Sequence, residues 1–215
     1  MANFKDFYDY IMPVLRGVDA PMVDFELRKA IRDWQRSTTM WREAVPLTFQ
    51  PGVTDYRVEA RDGGLIAGIL SMPYPTDPSR SMPSVVESHR WPEGYLPEPG
   101  TPDGWWQLYP GVIRINRPPD AAYPVTVLIY KQLTQDPADD YVPDDLFDDY
   151  AEKVASGALA QFFAMPAKPW RDTSMASYHM MNFTKAKQAL RAKVRRGGAT
   201  AQPRVKAPTF AGRIR

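Results

Sequence analysis

The chain has no cysteine. That absence removes disulfide frameworks, thiol nucleophiles and cysteine-ligated zinc, and it fits a reducing compartment. Histidine is scarce too: His89 and His179 are the only two, so imidazole catalysis and histidine-ligated metals have little to draw on. No apolar run approaches the roughly 20 residues that a membrane-spanning helix needs. The opening Met1-Ala2-Asn3-Phe4-Lys5-Asp6 has neither the basic-then-apolar pattern of a signal peptide nor the composition of a transit peptide, so a soluble protein without a membrane partner is expected. The last absence is local. From residue 173 to residue 215 there is no Asp or Glu.

What this stretch does contain is 10 cations out of the chain's 27. The remaining 17 share residues 1–172 with all 25 anions, a formal charge of −8 there. A near-neutral total therefore conceals a dipolar molecule. Within the basic stretch Tyr178, Met181, Ala186, Ala189, Leu190 and Val194 recur at helical spacing, and Gly197-Gly198 is a stop signal. Residues 199–215 hold two prolines and few apolar side chains without periodicity. Such a segment buries too little surface to offset its ordering entropy and is expected to order only against a partner. Phe210, Val205 and Ile214, set among Arg204, Lys206, Arg213 and Arg215, suit an extended arm entering a groove on another chain.

At 215 residues the chain is long enough for one domain with an inserted subdomain. Asn3 is a cap for a short helix carrying Phe4, Phe7, Tyr8, Ile11 and Leu15, with Pro13 near its end. Residues 17–21 turn the chain, and Val23, Leu27, Ala30, Ile31 and Trp34 mark a longer helix over about 22–38. The period then changes to two. Val45, Leu47 and Phe49, the turn Gln50-Pro51-Gly52, and Tyr56 and Val58 predict a β-hairpin. A third strand is expected over 64–72, after a Gly63-Gly64 hairpin turn. Residues 73–104, with eight prolines, read as a long ordered loop. Strands follow at 105–109, 112–115 and 125–130, so the middle of the chain is a small antiparallel sheet or sandwich. Beyond Pro143 helical spacing resumes through Leu146, Tyr150, Val154, Ala158 and Phe162, Met165-Pro166 ends it, and Asp172 or Thr173 caps the last helix.

The fold class read from this order is α+β. An α-helical bundle, built from N-terminal helices (1–42) and a C-terminal helical hairpin (135–198), carries an inserted antiparallel β-rich domain (43–134), with an extended basic arm at 199–215.

Candidate chemical sites are few. Ser177 and His179 lie two apart on a helix and so point in different directions, which does not suit a nucleophile and its base. The acidic run from Asp136 to Asp149 has oxygen ligands for a hard cation but lacks the Gly and Glu spacing of an EF-hand loop. Carboxylates at Asp144, Asp145, Asp148 and Asp149 fit the positive end of a helix dipole, or an acidic face presented to a neighbour's cations. Residues 63–68 lack the Lys-Ser/Thr ending of a phosphate-binding loop. Glu87, Glu93 and Glu98 sit in the long loop and are the residues a glycosidase reading would use. On the last helix Lys185, Lys187, Arg191, Arg195 and Arg196 have the charge to follow a phosphate backbone, without the alternating aromatics of a single-strand binder or any helix-turn-helix or zinc-finger pattern. No catalytic residue, metal or cofactor is assigned.

The residues in order also resemble a known group. Val18-Asp19-Ala20-Pro21, the helix through Ala30-Ile31-Arg32-Asp33-Trp34 to Thr38-Thr39-Met40-Trp41-Arg42, then Pro51-Gly52-Val53-Thr54-Asp55-Tyr56 and the strands 113–119 and 125–130 are similar to the head-to-tail adaptor (connector) proteins of tailed bacteriophages, the tail tubular protein A-like group. The helix 146–163 and its partner through Val194 complete the match. The resemblance implies a structural virion protein made in the host cytoplasm: a homo-oligomeric ring, dodecameric in the group, that joins the portal protein to the next tail, stopper or nozzle protein and continues the DNA channel with non-specific DNA contact. The arm carrying Arg204, Val205, Lys206, Phe210, Arg213, Ile214 and Arg215 falls where such proteins reach into the portal. Asp144, Asp145, Asp148, Asp149, Lys185, Lys187, Arg191, Arg195 and Arg196 become candidate inter-subunit or channel charges. The long 73–104 loop departs from compact members of the group and is expected to touch a neighbouring subunit or the next tail protein. The readings from other classes are a non-specific DNA-binding or packaging accessory protein and a cell-wall glycosidase.

Overall fold

A computed structural model of the chain describes residues 1–15, 17–61, 64–84, 98–136 and 138–196. The order of elements is β1 (Ala2–Asn3), a 3-10 turn (Phe4–Phe7), α1 (Tyr8–Ile11), α2 (Ala20–Thr38), β2 (Arg42–Phe49), β3 (Asp55–Arg57), β4 (Leu65–Ser71), β5 (Trp105–Tyr109), β6 (Val112–Ile115), β7 (Tyr123–Gln132), β8 (Tyr141–Val142), α3 (Asp144–Ala164) and α4 (Thr173–Arg195). The protein is mixed α and β, with four helices and antiparallel sheets.

The helices share one buried cluster. Asn3 caps the first turn as its sequence suggests: its side chain accepts from the Lys5 amide at 2.9 Å, while Asp6 accepts from the Asn3 amide at 2.8 Å. This capping box sets Phe4, Phe7, Ile11 and Leu15 on one face, all fully buried. Tyr8 donates to Asp24 at 2.7 Å and ties α1 to α2. Burial, that bond and the charges of Asp24 and Asp140 push its phenol up to about 12. In α2, Val23, Leu27, Ala30, Ile31 and Trp34 are buried at spacings of three and four. Trp34 lies between Tyr150 and Phe183, with ring centroids 5.4 and 5.7 Å away, so a single indole joins α2, α3 and α4. Burying each large apolar side chain stabilises by about 1.5–3 kcal/mol.

The strands build a second cluster. One sheet has the order β2-β7-β4, the other β3-β6-β5, and β1 pairs with β8. Val45, Phe49, Val127 and Ile129 from the first sheet meet Tyr56, Trp105, Ile113 and Ile115 from the second in this core.

Two turn assignments made from the sequence are corrected here. β2 and β3 are not a hairpin, because β2 bonds to β7 along its whole length, from Arg42↔Tyr130 to Phe49↔Tyr123, and β3 bonds to β6. The Pro51-Gly52 turn is instead a corner between sheets. Gly52 supplies the required φ of +77°, and the Tyr56 hydroxyl holds the corner, accepting from the Gln50 amide at 2.9 Å and donating to the Val53 carbonyl at 2.8 Å. Gly64 likewise precedes a strand, β4, that pairs with β7 and not with β3. In both places the ten-residue β7 recruits the neighbouring strands on its two edges, and local turn chemistry cannot reveal a partner so distant in the chain. The β5–β6 hairpin, by contrast, forms at Pro110-Gly111 as expected.

Where α2 meets the strands, Gln35 accepts from the Leu133 amide at 2.7 Å. Lys131, buried at 2% exposure, places its ammonium 2.8 Å from Glu43 and 4.7 Å from the Trp41 ring centroid. Burial alone would raise the Glu43 carboxyl, but the Lys131 ammonium and the Arg61 amide outweigh it and hold it below the usual range.

Candidate functional site

The feature that stands apart is α4, a helix of 23 residues in which only Phe183 and Leu190 are buried. It begins where the Asp172 carboxylate accepts from the amides of Ser174 and Met175 at 2.9 and 3.0 Å. One side lies on α3, where Gly157 faces Phe183 and the small residues Ala160 and Ala164 lie beside Ala176. Gly157 sets the approach. A methyl group on it would lie 2.7 Å from the Phe183 ring, so the ring occupies the space that a side chain would fill. Ala176, Phe183 and Leu190, spaced by seven, form the seam, with Ala186 and Val194 beside it.

This seam corrects the sequence reading of α4. Tyr178 and Met181, placed there on the apolar stripe, are 52% and 46% exposed. Phe183, the anchor, was missed, although its sevenfold spacing to Ala176 and Leu190 is visible in the sequence. With Phe183 inward, the outer side carries Tyr178 and Met181 in its first half and Lys185 and Arg196 in its second, with Arg195 and Arg191 toward one flank, all exposed. Met175 and Met180 are exposed at its flanks. A shallow groove of about 560 Å³ runs beside Met180 and Met181 between α3 and α4.

The candidate charges separate into two groups. Lys187 is held within the subunit: its ammonium lies 2.5 Å from Asp33 and 4.4 Å from the Phe183 ring centroid, pinning α4 to α2. Lys185, Arg191, Lys193, Arg195 and Arg196 make no ion pair among the described residues. Asp144 contacts the Met1 ammonium at 2.6 Å. Asp145, Asp148 and Asp149 are exposed on the first two turns of α3 without a cationic partner among the described residues. Beside them the Phe147 ring meets Phe7 and Tyr10 edge-on, at centroid distances of 5.0 and 6.5 Å. Exposed Tyr10 therefore adjoins the start of α3, and exposed Tyr141 stands in the strand that immediately precedes it.

The other sequence candidates are not drawn together. The Ser177 hydroxyl donates to the Thr173 carbonyl at 2.9 Å, while His179 stacks on Phe163 at 5.6 Å with its Nδ1 buried. Burial lowers the His179 pKa. Among the described residues no group of three or more His, Asp or Glu side chains has metal-holding geometry. A concavity of about 880 Å³ lies where Arg36 of α2 faces β3, β4 and the β5–β6 turn. Its Asp55 is bonded to Arg114, which keeps the carboxyl below the usual range. His89, Glu87, Glu93 and the arm residues Arg204, Val205, Lys206, Phe210, Arg213, Ile214 and Arg215 lie outside the described residues. No described helix is long and apolar enough to cross a membrane.

Residues 3–206 match the family model described as SU10 adaptor protein. A comparison with curated proteins finds no match.

Proposed function

The chain belongs to the SU10 adaptor protein family, which makes it a phage structural adaptor and a component of the virion, and on that premise we propose that it forms a ring joining the portal to the tail. In this reading twelve copies, the number taken from the wider group, surround the DNA channel. Helices from 1–42 and 135–198 form each copy's bundle, 43–134 is the inserted β-domain whose 73–104 loop touches a neighbouring subunit or the next tail protein, and the arm 199–215 reaches the portal. The chain's work is binding, with no catalytic step.

The observation that carries the reading is a family match over nearly the whole chain, supported by a helix whose outer face is half apolar and half basic and has no partner among the described residues. The arm's cations and sparse apolar side chains gain charge-assisted hydrogen bonds and apolar anchorage on the portal in this reading, so attachment of the ring waits for a finished head. The test is co-sedimentation with portal of the full chain and of a chain ending at Gly198. The truncated chain is expected to keep its fold, by its far-ultraviolet circular dichroism and melting, and to lose portal binding. Wild-type portal binding by the truncated chain would discard the arm.

The unpaired cations of α4 favour one second reading, non-specific contact with DNA. That contact should weaken steeply with salt and occur without portal.

A further inference from the structure

We infer that the outer face of α4 docks on the acidic, tyrosine-bearing edge of a second copy of this chain, the edge formed by Tyr10, Tyr141, Asp145, Asp148 and Asp149. The inference rests on the adaptor reading in taking identical copies to lie side by side, and it names the two surfaces that meet.

The two surfaces are complementary in charge and in apolar character. α4 is about 34 Å long at 1.5 Å per residue and contains no carboxylate over its 23 residues. Its outer face has two unlike halves: Tyr178 and Met181, then Lys185, Arg191 and Arg195, exposed and without a carboxylate partner among the described residues. A phosphate backbone would match the second half and leave the first in water. A protein surface with carboxylates around exposed aromatic rings matches both. Such a surface exists on the chain itself, where Tyr10 and Tyr141 are 41% and 53% exposed beside the unpaired carboxylates of α3. Lys5 is an exposed cation near this edge, so the match is dominated by one sign without being uniform. The two surfaces differ, so the contact is head-to-tail: each copy offers one face of each kind, and repetition closes a ring when the rotation allows. Aromatic side chains flanked by opposite charges give anchorage, steering and register.

Sedimentation velocity of the full chain at low salt tests this. Wild type should self-associate, and added salt should weaken it. Reversing one face (Lys185→Glu, Arg191→Glu, Arg195→Glu) or the other (Asp145→Lys, Asp148→Lys, Asp149→Lys) should weaken association by about a hundredfold or more, because like charges then meet. Mixing the two variants should restore it, since each acquires a complementary face on the other. Met181→Arg, which leaves every carboxylate in place, should weaken association as well, and melting curves identify any variant that fails to fold. Wild-type association by either reversed variant, or a mixture that stays apart, overturns the interface. So does a wild-type chain that binds duplex DNA but stays monomeric. Portal capture on the same proteins separates the two claims: a wild-type chain that captures portal without self-associating removes this interface and leaves the adaptor reading standing.

Discussion

Lys131 is a cation with almost no water around it, and its surroundings explain why it stays there. Glu43 faces its ammonium at 2.8 Å, and the Trp41 ring lies beneath it at 4.7 Å. Replacing one partner of such a pair leaves the other charge buried and alone, whereas replacing both with apolar groups of similar volume is often neutral. Lys131→Met should therefore lower unfolding stability by about 3 kcal/mol or more, and the double variant Glu43→Leu, Lys131→Met should recover most of it, as read from urea midpoints. His179 gives the second prediction at this scale. Burial lowers its pKa, so the folded protein favours the neutral ring. Its contribution is present above the unfolded value near 6.5 and is lost as pH falls through the lower folded value. The melting temperature should decline as pH drops from about 7 to 5, and His179→Phe, which keeps the stack on Phe163, should flatten that decline. Neither environment was legible in the sequence, since the partners of Lys131 and His179 are brought in by strand pairing and helix packing.

At the scale of elements, α3 and α4 meet because Gly157 leaves room for Phe183. Overpacking a tight site typically costs about 1–3 kcal/mol, so Gly157→Val should destabilise by about 2 kcal/mol. Phe183→Leu in the same chain should lessen that loss, because the smaller side chain vacates the contested space; chemical denaturation of the two single variants and the double closes the cycle. Helices were the most legible elements. Their caps, Asn3 and Asp172, and their stops lie within a few residues of the signals that set them. Strand positions were nearly as legible, but pairing was not: Pro51-Gly52 has the chemistry of a tight turn whether it closes a hairpin or turns a corner, and only the long β7 decides between these. The face of α4 was misread for a related reason. Met181 and Phe183 are both apolar, and the small-residue surface of α3 determines which points inward.

For the whole molecule, the separation of charge was evident from composition, and the structure gives it a location. Among the described residues, Lys185, Arg191, Lys193, Arg195 and Arg196 of α4 have no ion-pair partner, and Asp145, Asp148 and Asp149, without a cationic partner, stand at the start of α3 beside Tyr10 and Tyr141. A protein that leaves both signs unsatisfied on different faces is suited to repeated contact with copies of itself, consistent with a family of adaptors. The basic arm, 199–215, lies outside the described residues. The account turns most directly on what the full chain does when it meets portal. Electron micrographs of the purified protein mixed with portal should show portal particles extended at one end by an added ring, absent when portal is imaged by itself. Portal particles unchanged by an excess of well-folded protein would contradict the account.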